Sequence, residues 1–434
     1  MREKLLAYVF ANMGDAVCIT AKNGAIHYAN TSAAKLFGFG ESSEGRKIWE
    51  VIPFTEKNDT LIQLFIDAVK EGRNIRSLAS YENNDGQIFR LHVSVTYMTD
   101  NGGIFAVVIR DLTELFRVNS AFERYTSPEI AKFVLSTPGG EKQGGSVRDV
   151  TILMSDLRGF TALSTKLPAD TLITILNHYF EEMIAVIQRW KGTLIEFLGD
   201  GIFVVFGAPN DDEDHAEHAL SCALEMENSM KSVNEWNALN GYPSLEMGIG
   251  INSGPAVVGN IGSEERMKYG CMGETVNLAG RVETFTVGGQ VYISERTRAK
   301  ISAELLITDE QSFMPKGAAS PMKIFAVEGL GAIHMAHKEY VMRDTVRPAE
   351  VKFFTIAGSK SVEGEGHTGR VVKVSADEKY AVLESDAHVD AMQNILIDIG
   401  GSLYAKAVKV SGREITICFT SKPDGFNDWA KSLF

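Results

Sequence analysis

The sequence predicts an α+β multidomain chain in three folded segments. A length of 434 residues exceeds one ordinary domain. Strand-like apolar runs alternate with helical spacing through most of the chain, and beyond residue 341 strand patterns follow one another almost without helices. An apolar fraction of 44% gives each segment a core, and a formal net charge of -13 argues against a nucleic-acid partner, which needs a basic footprint.

Residues 1–112 form the first segment. Strands are expected at Ala16–Ile19, Ile26–Tyr28, Ile88–Val95 and Ile104–Ile109, with turns at Asn23-Gly24, Asp85-Gly86 and Asn101-Gly102-Gly103. Helical spacing falls at Ser32–Phe37 and Thr60–Glu71. The order of elements, with Gly14–Gly24 (GDAVCITAKNG), Ile26–Asn30 (IHYAN), Leu36–Gly38 (LFG) and the closing Val108–Thr113 (VIRDLT), resembles a PAS sensor domain. That resemblance implies a sensor that often binds a haem, flavin or metabolite and often dimerises. No cysteine stands in a flavin-adduct context, His27 and His92 read as strand-face residues, and the PAS ligand stays unknown.

Residues 113–145 read as a helical signalling linker. Leu112, Leu115, Phe116, Val118 and Phe122 suit a short helix that pairs with a copy of itself or packs on its own sensor; the spacing does not choose. Ser127-Pro128-Glu129 reads as an N-cap, a first-turn proline and an acid at the positive end of a helix.

Residues 146–330 alternate strands at Val150–Met154, Thr193–Phe197, Ile202–Phe206, Glu246–Asn252 and Val291–Ile293 with helices at Ala169–Trp190, Glu213–Asn237 and Glu274–Thr284. Asp156 ends an apolar strand and opens into a glycine-containing turn. Asp200 lies between two glycines where a tight hairpin joins two apolar strands. Singly, each is an ordinary turn carboxylate; together they suit two Mg²⁺ or Mn²⁺ ions with phosphate oxygens. Asn277 and Arg281 stand four apart, on one face of a helix.

Three motifs in this order, Ser155–Thr161 (SDLRGFT), Phe197–Gly201 (FLGDG) followed by Phe206–Pro209 (FGAP), and Gly273–Arg281 (GETVNLAGR), resemble a class III nucleotidyl cyclase catalytic domain over nearly all of 146–330. The resemblance implies a ferredoxin-like α/β sandwich. It implies that Asp156, Asp200 and the carbonyl of Leu157 hold two Mg²⁺ or Mn²⁺, that the ribose 3′-oxygen attacks the α-phosphorus in line, and that pyrophosphate leaves. Asn277 would orient the ribose and Arg281 would stabilise charge on the α-phosphoryl group. Gly159, Phe160 and Thr161 would cradle the terminal phosphates, with Arg266 and Lys316 at basic phosphate-binding positions. Because the two halves of a site come from different subunits in this family, the resemblance also implies a homodimer with two composite sites.

The base-reading position four before the second aspartate is Glu196, where adenylate cyclases carry Lys. A carboxylate accepts from guanine N1–H and its exocyclic amine together, but repels the acceptor N1 of adenine. The second position, seven before Asn277, is Gly270, which lacks the acceptor that reads the adenine amine. Both features point to GTP as substrate and cyclic GMP as product. The alternatives are an adenylate cyclase making cyclic AMP from ATP, and a non-catalytic signal-binding dimer scaffold, which would have lost one of the aspartates, the Asn or the Arg.

Residues 341–434 predict strands at Val351–Ile356, Gly369–Val374, Tyr380–Leu383, Ile395–Ile399, Leu403–Val410 and Ile415–Phe419, a small β-barrel, with a closing helix at Asn427–Leu433. Arg343 and Arg347 weakly resemble the RxxxR arm of a PilZ domain, which implies cyclic di-GMP as a ligand. Lys373 and Glu378 depart from the second PilZ motif, so a ligand-free barrel for packing or partner contact is the leading reading. His215/His218 and His334/His337 have metal-like spacing without a completing constellation, and read as solvated helix faces. Four scattered cysteines, no leader pattern and no apolar run of membrane length predict a cytoplasmic protein without membrane insertion.

Overall fold

The computed structural model describes residues 2–38, 44–99, 103–314, 320–336, 341–357, 361–423 and 425–434. Its chain divides into two compact units, Met1–Tyr125 and Thr126–Phe434. The 113–145 stretch is thereby shared between them.

The first unit runs α1 (Arg2–Ala11), β1 (Ala16–Ala21), β2 (Ile26–Ala29), α2 (Thr31–Phe37), α3 (Asp59–Glu71), β3 (Ile75–Glu82), β4 (Ile88–Met98), β5 (Ile104–Asp111) and α4 (Thr113–Tyr125). The strands form one antiparallel sheet in the order β2-β1-β5-β4-β3. Alternation sends Leu91, Val93, Val95, Phe105, Val107 and Ile109 to one face, where Leu61, Leu64 and Phe65 of α3 cover them. Burying those three side chains contributes about 1.5–3 kcal/mol each, an upper estimate against an extended chain. Asn30 ties the sheet to α2, its side-chain oxygen accepting from the amides of Val17 (3.0 Å) and Ala33 (2.9 Å).

Two elements of this unit are absent from the sequence reading. β3 buries only Ala79 and Tyr81, with Ile75 partly buried on the same face, too little apolar alternation to mark a strand. The apolar stretch within α1 lacks a helical stripe, and Leu5, Tyr8 and Val9 are exposed. α4 buries no residue, and Leu115, Phe116 and Val118 lie open on it. The turn expected at Asn101-Gly102 lies outside the described residues.

The second unit begins with α5 (Pro128–Ser136), whose N-cap Ser127 accepts from the Ile130 amide. There follow β6 (Gly144–Leu157), α6 (Phe160–Ser164), α7 (Ala169–Arg189), β7 (Thr193–Leu198), β8 (Gly201–Phe206), α8 (His215–Leu239), β9 (Met247–Gly262), β10 (Met267–Met272), α9 (Glu274–Thr284), β11 (Gln290–Ser294), α10 (Glu295–Arg298), β12 (Leu305–Phe313), β13 (Met322–Leu330) and β14 (Ile333–His334). The run β6-α7-β7-β8-α8-β9 gives adjacent antiparallel strands in the order β9-β6-β8-β7, the ferredoxin-like arrangement. β11 and then β13 and β12 extend the sheet beyond β9.

Alternation sorts the sheet's two faces. Leu153, Leu157, Ile202 and Val204 point to α7 and α8. Val150, Ile152, Phe203 and Val205 point to α5, α9 and β10. β6 and β9 run past their apolar centres because they pair along their whole length, from Gly144 opposite Asn260 to Leu157 opposite Met247.

The last six strands, β15 (Met342–Ala357), β16 (Ser361–Ser375), β17 (Tyr380–Glu384), β18 (Asn394–Asp398), β19 (Ser402–Ser411) and β20 (Glu414–Ser421), close into a barrel capped by α11 (Phe426–Lys431). Phe353, Val371, Leu383, Ile397, Leu403 and Ile417 fill it, and Phe426 of α11 seals one end. Closure pairs the first strand with β18 and leaves no free barrel edge.

Candidate active site

Sequence order becomes proximity at the β7–β8 hairpin. Leu198 pairs with Gly201, so Gly199 and Asp200 form a two-residue tip. Ser155 pairs with Ile202, which brings that tip alongside the end of β6, where Asp156 stands. Gly201 permits the approach: a Cβ there would meet the Ser155 carbonyl oxygen at 2.8 Å. The Asp200 carboxylate takes the backbone amides of Leu157 and of Asp200 itself. Burial and then the neighbouring Asp156 carboxylate nevertheless push Asp200 up to about 6. Two adjacent carboxylates, one raised by the other, make the all-oxygen donor set that suits a hard divalent cation. Arg158 offers only partial relief, its Nη1 lying 3.5 Å from Asp156.

Beyond Asp156 the chain turns sharply into α6. Gly159 supplies the left-handed cap residue at φ 71°. Phe160 is buried in the core against α7, so only its backbone faces the turn, and Thr161 is exposed. Asn277 and Arg281 project from the exposed side of α9, whose other side buries Leu278, Ala279 and Val282. Among the described residues, neither exposed side chain makes a hydrogen bond or an ion pair.

Glu196 sits just after a bulge in β7, and its carboxylate is ion-paired with Lys268 of β10. Lys268 and Gly270 are two apart on β10 and so share a strand face. The sequence reading missed Lys268 because it missed β10, a short strand of mixed polarity, Met267–Met272. The signal available was the two-residue spacing from Gly270. Arg266 stands exposed in the turn between β9 and β10. Lys316 lies outside the described residues.

A polar bridge that the sequence did not announce joins the two halves. Arg158 pairs with the Glu283 carboxylate and donates to Thr286 Oγ1 at 2.6 Å and to the Glu283 carbonyl at 3.3 Å. Glu283 follows Arg281 by two residues on α9. Burial raises its carboxyl, against the opposing pull of Arg158.

Other expectations fall differently. His215 is not on a solvated face: it is buried, with Nδ1 2.6 Å from Thr151 Oγ1, because α8 lays its first turn on the sheet. Burial lowers its pKa. His218 lies 2.7 Å from Asp212, and these two with Asp214 form a small cluster of metal-ligand type. His334 ends the two-residue strand β14 and is not helical, while His337 lies outside the described residues. Arg343 and Arg347 are exposed on β15. Among the described residues no helix is long and apolar enough to cross a membrane, and the four cysteines are free and buried.

Residues 143–329 match the model of the adenylate and guanylate cyclase catalytic domain, and residues 14–114 match a PAS domain. Adenylate cyclase 1 of Rhizobium meliloti (strain 1021) is 32% identical over 185 residues, which cover 42% of this chain and 28% of that protein. The match thus spans under a third of that relative's length. Among solved structures, the guanylyl cyclase Cya2 is 44% identical over 45% of this chain and 100% of its own, with a TM-score of 0.44. The adenylyl cyclase CyaB from P. aeruginosa is 33% identical over 44% of this chain and 99% of its own, with a TM-score of 0.42.

Proposed function

From a chain that joins a PAS domain to a class III nucleotidyl cyclase catalytic domain, we infer a PAS-regulated guanylate cyclase that converts GTP to 3′,5′-cyclic GMP and pyrophosphate. The metal half is Asp156, Asp200 and the Leu157 carbonyl, a set whose chemistry fits Mg²⁺ or Mn²⁺. Two such cations would neutralise the triphosphate and acidify the ribose 3′-hydroxyl. The remaining work falls to the chain's own groups. Asn277 holds the ribose so that its 3′-oxygen faces the α-phosphorus. Arg281 meets the charge that develops on the α-phosphoryl oxygens, stabilising the transition state more than the ground state. The backbone at Gly159, Phe160 and Thr161 receives the terminal phosphates, with Arg266 and Lys316 as further cationic contacts.

The reading of the base rests on one observation: Glu196 presents a carboxylate on the face shared with α9 and β10, while Gly270 offers no side-chain acceptor. Guanine matches this with two donors on one edge, and adenine does not. Lys268 adds a cation beside the carboxylate. The named relatives include both adenylate and guanylate cyclases, so the second reading is cyclic AMP formation from ATP. Initial rates of the purified protein with GTP and with ATP, each in Mn²⁺ and in Mg²⁺, separate the two, and a preference for ATP would sink the guanine reading.

The working unit in this proposal is a homodimer with composite sites. Exposed, unpaired Asn277 and Arg281 support it, as does the open apolar side of α4. A cytoplasmic setting accords with the free cysteines. The barrel is read as a packing module; nothing at Arg343 or Arg347 adds support for cyclic di-GMP.

A further inference from the structure

Strand alternation places Leu403, Ala405 and Ala407 of β19 inside the barrel, and therefore Tyr404 and Lys406 outside it. Tyr404 is exposed, as an outward residue should be, yet Lys406 is only 8% exposed. The catalytic segment covers it. Its ammonium donates to the carbonyl oxygens of Thr284 (2.6 Å) and Thr286 (3.2 Å). These carbonyls stand at the negative end of α9, the helix that carries Asn277 and Arg281, where a cation is favoured.

The same groups continue inward. Thr286 Oγ1 and the Glu283 carbonyl accept from Arg158, whose other nitrogen lies against Asp156. A line of charge-assisted contacts therefore runs from the barrel wall, through the end of α9, to the first aspartate. The seam around it is packed rather than loose. Val287 is buried against Tyr380 and Cys418 of the barrel, and Lys379 reaches Glu246 (2.8 Å) and the Gly288 carbonyl (3.0 Å).

We propose that Lys406 is a positioning residue, by which the C-terminal barrel fixes the end of α9 and so the aim of Arg281, with Arg158 passing the same constraint to Asp156. Lys406 touches no reacting atom. It rests on the reading of Asn277 and Arg281 given above. The barrel thereby belongs to the catalytic apparatus rather than being an appended module.

The experiment uses the full chain as it exists, with GTP and Mn²⁺. Lys406→Met keeps the length and apolar stem but removes the cation. Misaligning a transition-state group costs turnover, so kcat should fall on the order of tenfold, with KM for GTP within about twofold of wild type. Lys406→Arg, which restores the charge at the carbonyls, should recover part of that loss. Lys379→Ala loosens the same seam without touching the α9 carbonyls and should leave kcat within about twofold. Unchanged kcat in Lys406→Met, a loss confined to KM, or an equal loss in Lys379→Ala would each overturn the proposal. Should Lys406→Met not fold, Lys406→Gln decides: it keeps a donor without the charge, so lowered kcat supports the proposal and full kcat overturns it. Full turnover in Arg281→Ala would instead overturn the underlying reading of the site.

Discussion

The two halves of the proposed site differ in how finished they are within one chain. The aspartate half is assembled: a hairpin tip, a close glycine and a bonded backbone hold Asp200 beside Asp156. The Asn–Arg half is unfinished, two exposed side chains on a well-packed helix with nothing of their own to bind. A carboxylate pair repels itself and needs a rigid frame to exist before any cation arrives. A pair of neutral and cationic groups in water needs no such frame, and can wait for a ligand delivered from another subunit.

That contrast can be broken most decisively at the aspartates. Asp156→Ala should abolish cyclisation with either nucleotide, a loss of about a thousandfold or more, and surviving activity would refute its assignment. Arg281→Ala should cost on the order of 10²–10³ in kcat while leaving thermal stability almost unchanged, because an exposed, unpaired side chain contributes little to folding.

Mixing sharpens the comparison further. Asp200→Ala and Arg281→Ala chains, each inactive, should regain activity when allowed to exchange subunits. Random pairing makes half the dimers mixed, each with one intact site, so about a quarter of wild-type activity is expected. No recovery after demonstrated exchange would place both halves of a site in one subunit. Recognition is the next test: Glu196→Lys with Gly270→Asp should move the ratio of GTP to ATP efficiencies toward ATP by roughly 10- to 100-fold, read from kcat/KM.

The smallest effect concerns strain in the metal-free aspartate half. The Asp200 carboxyl is raised in the folded state, so the fold binds that proton more tightly than the unfolded chain does. Its ionisation therefore costs stability at neutral pH, and this cost disappears as pH falls through about 6 toward the unfolded value of 3.8. Asp200→Asn should raise the metal-free unfolding free energy at pH 7 by on the order of 1 kcal/mol, after allowing for solvent screening of a partly exposed group, and so raise the melting temperature. The gain should vanish near pH 4. An unchanged melting temperature at pH 7 would remove the account of a carboxylate strained by burial and by its like-charged neighbour.

Much of this was legible from residue order. Strong apolar runs marked β6, β7, β8 and β9, helical pattern marked α7 and α9, and a cap with a first-turn proline marked α5, because local pattern and tertiary role agree there. β10 escaped notice because Met-Lys-Tyr-Gly-Cys-Met has no clean alternation; its partner β9 defines it. His215 misled because a histidine on the first turn of a helix looks solvated until a sheet lies beneath it. Lys406 carried no signal at all. A lone lysine at an outward strand position is ordinarily exposed, and only the packing of a distant segment against it says otherwise.

The covered barrel wall also bears on where this chain can be divided. Between residues 330 and 341 the sequence offers an obvious place to cut, with one apolar pattern finished and another about to begin. Packing recognises no such border: Thr126–Phe434 is one compact unit. A chain ended at residue 330 would bare Val287, strip the carbonyls of Thr284 and Thr286 of their cation, and leave Glu246 without Lys379. What such a fragment lost in turnover would belong to the cut rather than to the chemistry of its aspartates.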